Sequence, residues 1–239
     1  MDTPDRNKTE VKQNGFTIIN GLYSDKETAA MIAAITRADP AKDTFRKSSD
    51  LFAIRQLFKE IPELIPVVLN TQLKKLIHEI FGPDHFIVKS IYFDKPEQSN
   101  WYVAYHQDLT IAVDLKISLE NFGPWTAKHN QYAVQPPVAL LERNFTVRIH
   151  LDDTDADNGA LRIIEGSHLK KICRPETINL AAERETVCPV KKGGIMIMKP
   201  LLLHRSGRST NGKRPRVIHI EFSDQALPAG LSWAEKQDI

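Results

Sequence analysis

Tyr102-Val103-Ala104-Tyr105-His106-Gln107-Asp108-Leu109-Thr110-Ile111-Ala112-Val113 is the stretch on which the fold turns. Its aromatic and β-branched residues read as strand. Side chains alternate faces along a strand, so residues two apart point the same way. His106 and Asp108 therefore send an imidazole and a carboxylate into one space. One more histidine from elsewhere would complete two histidines and a carboxylate, the facial set that leaves coordination positions open in non-haem Fe(II) oxygenases. H-x-D alone is a common surface pair, so the rest of the chain has to decide.

Downstream of Phe86 the texture is that of a β protein. The runs Phe86 to Phe93, Val103 to Val113, Phe145 to Leu151, Ala160 to Ile164, Gly194 to Leu203 and Arg216 to Phe222 are short and rich in Val, Ile, Phe and Leu. Clusters of Gly, Pro, Asn and Asp separate them, the pattern of a sandwich or barrel. Asp155-Ala156-Asp157-Asn158-Gly159 reads as a hairpin turn. Upstream, Ser24-Asp25-Lys26-Glu27 matches a capping box and opens a helix that stops before Pro40. A second helical block spans roughly Leu51 to Phe81, is interrupted by Pro62 and Pro66, and stops at Gly82-Pro83. Residues 1 to 14 read as a solvated, flexible tail. The expected fold is α+β, mainly β: a double-stranded β-helix (jelly roll) with N-terminal supporting helices, residues 1–239 forming one domain.

A chain of 239 residues can bury a substantial core, and its net charge of +2 gives no basis for nucleic-acid or membrane binding. No apolar run approaches a membrane span. Met1 to Lys12 lacks the apolar segment of a secretory signal. Cys173 and Cys188 are then expected as free thiols of a cytoplasmic protein.

The third ligand has to come from a remote strand. His204 is the best candidate, because it ends the run Ile195 to Leu203 where a strand gives way to Ser206-Gly207-Arg208-Ser209. Twelve residues on, Arg216 shares one strand face with Ile218, Ile220 and Phe222. A guanidinium on an apolar inner face wants a carboxylate, and its fork suits a dicarboxylate such as 2-oxoglutarate. The remaining candidates have blander readings. His78 is a surface residue, His219 structural, and His150 and His168 fix loops. His129 lies in a polar loop with Lys128, Asn130 and Gln131, for which a place at the substrate entrance is the less favoured reading. Arg148 reads as a buried ion pair with Asp152 or a neighbour. Trp101, Trp125 and Tyr105 read as packing.

The order of helices, H-x-D, distant histidine and arginine on the next strand resembles the phytanoyl-CoA dioxygenase family of Fe(II)/2-oxoglutarate oxygenases. Further segments carry the resemblance: Phe93-Asp94-Lys95-Pro96, Asn100-Trp101, Gln135-Pro136-Pro137, Arg148-Ile149-His150-Leu151-Asp152, Asn158-Gly159-Ala160-Leu161-Arg162 and Gly166-Ser167-His168, in family order over roughly residues 10 to 225. It implies that His106, Asp108 and His204 hold Fe(II), that Arg216 binds the distal carboxylate of 2-oxoglutarate, and that Lys89 adds a second contact. Two departures stand out. Paired arginines are replaced by Arg214-Pro215-Arg216, so either Arg214 or Arg216 could be the anchor, and Arg216 is favoured because Pro215 disrupts pairing upstream. Glu165 stands where proline is usual before Gly166-Ser167-His168. The implied reaction consumes 2-oxoglutarate and O2, releases succinate and CO2, and hydroxylates a small organic substrate. Asp108 favours hydroxylation over halogenation, because related halogenases lack that carboxylate so that chloride can bind. A non-redox cupin-like metal protein (isomerase or hydrolase) and a non-catalytic ligand-binding barrel share the fold without needing the cosubstrate arginine. Residues 114 to 137 are expected to form a long polar connection over the site. Substrate identity and oligomeric state are not readable.

Overall fold

The computed structural model describes residues 4–39, 41–47, 52–94, 102–128, 131–174, 178–179, 181–213 and 215–239. Trp101, His129 and Arg214 lie outside these. The elements run α1 (Pro4–Asn14), β1 (Phe16–Ile19), α2 (Asp25–Arg37), β2 (Phe45–Lys47), β3 (Phe52–Arg55), α3 (Leu57–Glu60), α4 (Ile65–Val68), α5 (Thr71–Phe81), β4 (Phe86–Asp94), β5 (Val103–His106), β6 (Ile111–Val113), β7 (Trp125–Lys128), β8 (Gln131–Val134), α6 (Val138–Arg143), β9 (Phe145–His150), β10 (Leu161–Ile164), β11 (Glu185–Cys188), β12 (Ile195–Met198), β13 (His204–Ser206), β14 (Arg216–Ser223) and β15 (Gln237–Asp238). This is a mainly β, antiparallel jelly roll with helices before it, as expected.

The large sheet has the order β1-β12-β9-β14-β4-β3-β2, with β15 paired to β4; a second sheet has the order β11-β10-β13-β5, and a third β6-β8-β7. Strict alternation along the central strands gives the large sheet two different faces. Phe145, Val147 and Ile149 of β9, with Ile218, Ile220 and Phe222 of β14, pack in one core with the helices. Phe145 stacks between Phe81 and Phe222, with ring centroids 3.7 and 4.9 Å away. Truncating it to alanine would cost on the order of 3–5 kcal/mol. The opposite face turns toward the second sheet. There Met196 and Met198 of β12 pack with Leu161, Ile163 and Cys188 of β10 and β11.

The helices follow local rules. Ser24 Oγ accepts from the Glu27 amide at 3.3 Å, and Glu27 Oε2 accepts from the Ser24 amide at 2.8 Å, completing the capping box of α2. On α5, Leu73, Leu76, Ile77 and Ile80 recur at helical spacing and are buried, and Asn70 caps the first turn through the Leu73 amide.

Four expectations need correction. Residues 4–14 are not a loose tail but helix α1, held by Val11 in the core and by Thr17 Oγ1 donating to Glu10 Oε2 at 2.6 Å. One apolar anchor leaves almost no hydropathy signal. Phe52–Arg55 is strand β3, not the start of a helical block, because it pairs with β4. Residues 155–158 do turn, but they carry the chain from β9 in one sheet to β10 in another, so no hairpin forms. The stretch 114–137 contains the β7–β8 hairpin, which pairs with β6 rather than forming an open connection. Cys173 and Cys188 are free thiols. Among the described residues no helix is long and apolar enough to cross a membrane.

Candidate metal centre

Strand pairing builds the site. β5 ends at His106, and Asp108 follows in the link to β6, where its amide donates to the Pro200 carbonyl at 2.9 Å. The single strand expected over 103–113 is therefore broken just after the histidine. His204 does not end β12; the chain turns at Pro200–Leu202 and His204 opens β13. β13 pairs antiparallel with β5, and His204 is the cross-strand partner of His106. Directly opposed residues in such a pair lie within side-chain contact, and the two imidazole centroids are 4.2 Å apart.

The three side chains converge. His106 Nε2 is 4.0 Å from Asp108 Oδ1, and His204 Nε2 is 3.9 Å from Asp108 Oδ2. One ligating atom from each residue lies within 4.8 Å of the other two. Each histidine uses its Nδ1 on the backbone carbonyl two residues earlier, Ala104 or Leu202, at 2.9 Å. Nδ1–H donation to a carbonyl fixes the tautomer and leaves the Nε2 lone pair facing the shared space. Burial lowers the His204 pKa to about 4, against the opposing pull of Asp108, so the ring is neutral and free to ligate. Burial pushes Asp108 up, but His204, His219, Lys89 and His106 outweigh it and bring the carboxyl to about 2. Two imidazoles and a carboxylate are a donor set that suits a divalent metal with open positions.

Gln107, between two of these residues, points the other way. Its Nε2 donates to Leu201 O at 2.6 Å and Lys171 O at 2.8 Å, and its Oε1 accepts from the Cys173 amide at 2.8 Å. It ties the link after β5 to the turn before β13.

The cluster opens into a cavity between the two sheets, lined by Ile91, Phe93, Val103, Leu161 and Val217 on its apolar walls and by Lys89, Arg148, His150, Thr154 and His219 among its polar groups. Apart from Thr154, which follows β9, these polar groups come from the non-core face of the large sheet, in register. Thr146, Glu221 and Lys89 are consecutive cross-strand partners, as are Arg148, His219 and Ile91, and His150, Val217 and Phe93.

A chain of polar contacts crosses these rows. Lys89 Nζ donates to Glu221 Oε1 at 2.6 Å. Glu221 Oε1 lies 3.2 Å from His219 Nε2, and His219 Nδ1 lies 3.3 Å from Arg148 Nη1. The tautomer with hydrogen on Nε2 satisfies both ends, donating from Nε2 to Glu221 and accepting at Nδ1 from the guanidinium. Burial lowers the Lys89 pKa, but Glu221 and Asp108 raise it further, leaving the ammonium charged.

The structure places the anticipated cosubstrate residues apart. Lys89 lines the cavity. Arg216 does not: Ile218, Ile220 and Phe222, which share its strand face, point into the helix-covered core, and Arg216 Nε and Nη2 donate to Asp152 at 2.7 and 2.8 Å. The inner apolar face was read correctly as inner, but it is not the face of the site. Asp152 is thus taken by Arg216, so the ion pair expected for Arg148 does not form. The signal for Arg148 was in the sequence: Phe145, Val147 and Ile149 alternate with Thr146, Arg148 and His150, a polar face opposite the core face. His219, expected as structural, lies on the cavity wall as the guanidinium's neighbour. Of the loop-fixing histidines, His150 contacts Thr154 Oγ1 at 3.0 Å and also lines the cavity.

The family model described as phytanoyl-CoA dioxygenase (PhyH) matches residues 11–218. No curated protein matches the chain. Among solved structures, it is similar to the non-heme alpha ketoglutarate dependent carbocyclase SnoK from nogalamycin biosynthesis (17% identity, 91% of this chain and 83% of that one covered, TM-score 0.67). It is also similar to the epimerase SnoN in complex with Fe3+, alpha ketoglutarate and nogalamycin RO (13% identity, 98% and 94% covered, TM-score 0.70). EvdO2 from Micromonospora carbonacea var. aurantiaca, complexed with 2-oxoglutarate, aligns at 16% identity over 96% of both chains with a TM-score of 0.66. At these identities the likeness is one of fold.

Proposed function

The chain belongs to the phytanoyl-CoA dioxygenase family, and from that premise we propose that it is an Fe(II)/2-oxoglutarate-dependent dioxygenase that hydroxylates a small organic molecule. The observation that carries the reading is the convergence of His106, Asp108 and His204 on one space at the end of a cavity that also holds Lys89 and Arg148. His106, Asp108 and His204 are the proposed metal ligands. The donor set fits a divalent iron, and the charges fit the cosubstrate. Lys89 and Arg148 of the cavity balance Asp108 and the Glu221 carboxylate bound by Lys89, so a divalent metal leaves two positive charges, which a dianionic 2-oxoacid restores to neutrality.

Bound there, Fe(II) and 2-oxoglutarate supply the oxidation by which O2 and 2-oxoglutarate become succinate and CO2 while the substrate takes up oxygen. The protein's own residues do the rest. The Nδ1 bonds to Ala104 and Leu202 hold both imidazoles in their ligating tautomer. Asp108 keeps its charge down to strongly acidic pH and occupies a position that a halide would otherwise need, which supports hydroxylation over halogenation. Ile91, Phe93, Val103, Leu161 and Val217 exclude water from the walls and offer apolar contact to a substrate carbon skeleton.

The test is succinate formation by the Fe(II)-loaded protein, with ascorbate and a panel of metabolites, and mass spectrometry of the products. Substrate-dependent succinate together with a product heavier by one oxygen atom is the expected result. SnoK and SnoN are a carbocyclase and an epimerase on the same fold, so succinate with a product lacking the added oxygen would replace hydroxylation with another oxidative outcome. Metal-dependent turnover that ignores 2-oxoglutarate would overturn the oxygenase reading in favour of a non-redox metal enzyme.

A further inference from the structure

We propose that the distal carboxylate of 2-oxoglutarate is held by Arg148 of β9, not by Arg216 at the head of β14. This rests on the oxygenase reading and names the residue that completes its cosubstrate site.

Four observations converge. Arg148 lines the same cavity as the metal cluster. Its charge acts on both Asp108 and His204, which places the guanidinium near the metal space. It has no carboxylate partner among the described residues, and its Nε is buried without a hydrogen-bond acceptor. A buried donor left without an acceptor is costly unless a ligand satisfies it. Its side-chain contact, Nη1 to His219 Nδ1 at 3.3 Å, goes to a ring that Glu221 orients from the other side, so the guanidinium is aimed without meeting a carboxylate.

The competing cations among the described residues, Lys89 and Arg216, are spoken for. Lys89 is neutralised by Glu221 at 2.6 Å. Arg216 clamps Asp152 outside the cavity. Among the described residues of β14 and its approach, those lining the cavity are Pro215, Val217 and His219, none of them an arginine or lysine. A 2-oxoacid that chelates a metal through its keto oxygen and C1 carboxylate projects its other end away from the ion. A five-carbon diacid then carries a second carboxylate into the cavity, where a forked donor grips it better than a point charge. Arg148 therefore discriminates diacid from monoacid cosubstrates.

The experiment is an anaerobic titration of Fe(II)-loaded protein with 2-oxoglutarate and, separately, with 2-oxobutyrate, which lacks the distal carboxylate. Binding is read from the visible charge-transfer absorption of a chelated 2-oxoacid and by calorimetry. The wild type is expected to prefer 2-oxoglutarate. In Arg148→Met that preference should fall by about 10–100-fold, the worth of hydrogen bonds to a charged group, while 2-oxobutyrate binding stays the same. Arg148→Lys should retain part of the preference, and it carries the test if the methionine variant loses metal or its near-ultraviolet dichroism. Arg216→Gln should bind 2-oxoglutarate as the wild type does. An undiminished preference in both Arg148 variants, or its loss in Arg216→Gln, overturns the assignment. A wild type that binds neither acid would instead overturn the oxygenase reading on which it rests.

Discussion

Arg216 grips Asp152 with two guanidinium nitrogens, at 2.7 and 2.8 Å, while its backbone amide donates to the same carboxylate at 3.1 Å. The pair fastens the first residue of β14 to the chain just beyond β9, and it holds the arginine out of the cavity. Both side chains are about 30% exposed, so solvent screens the pair. Asp152→Asn is expected to cost about 1 kcal/mol or less in urea unfolding with an unchanged slope. Iron content should be unaffected, and a variant that cannot retain iron would show that the pair supports the site after all.

Removing a ligand should have a different signature. His204→Ala and Asp108→Ala are each expected to weaken divalent metal binding by at least about 100-fold, beyond the 10–100-fold typical of outer-shell losses. Elemental analysis of dialysed protein, with far-ultraviolet dichroism to show the fold retained, checks this. Full metal occupancy in either variant would remove that residue from the proposed set.

Gln107 acts through others. Its three hydrogen bonds, to Leu201, Lys171 and Cys173, hold the segment between the two ligands of the H-x-D pair. Gln107→Ala is expected to cost about 1–3 kcal/mol of stability and to lower metal affinity roughly tenfold without changing which metals bind. Equilibrium unfolding and metal titration separate the two effects, and wild-type metal affinity in a destabilised variant would reduce Gln107 to a structural role.

The two thiols should differ in reactivity. Cys188 is 1% exposed, and burial, with a smaller effect of Glu165, pushes its pKa up to about 12. The thiolate is the reactive form, so at pH 8 Cys188 should resist iodoacetamide until the protein unfolds. Cys173, only partly buried, should label first in the native protein. Peptide mapping after brief labelling decides, and native labelling of Cys188 would contradict its environment.

Lys199 Nζ donates to the carbonyls of Glu142 and Asn144 at 2.6 and 2.7 Å, closing the end of α6. Burial lowers its pKa from 10.5 to about 8, with Asp224 opposing the shift. Between those values the unfolded chain binds more protons than the folded one, so this group adds stability as pH rises from about 8 toward 10.5. Urea midpoints of wild type minus Lys199→Met should therefore grow over that interval and stay level below it. A flat difference would mean the ammonium is solvated.

Much of this fold was written locally. The capping box at Ser24, the helical spacing of Leu73, Leu76, Ile77 and Ile80, and the two-residue alternation of β4, β9 and β14 need only neighbouring residues to be read. The H-x-D pair was legible for the same reason. α1 and β3 were not, because Val11 is a single anchor and Phe52–Arg55 is a strand only while β4 lies beside it.

The sequence by itself determined which side chains share a face, since backbone geometry fixes that over a few residues. It could not determine what each face meets. Nearly a hundred residues separate His106 from His204, and only the β13–β5 pairing sets them opposite each other. The same limit governs the arginines. Arg216 and Arg148 both sit on central strands of one sheet, and a sheet has two covered sides. Helices packing over one side turned it into core and left the other as cavity wall, so tertiary structure put Arg148, not Arg216, beside the metal cluster.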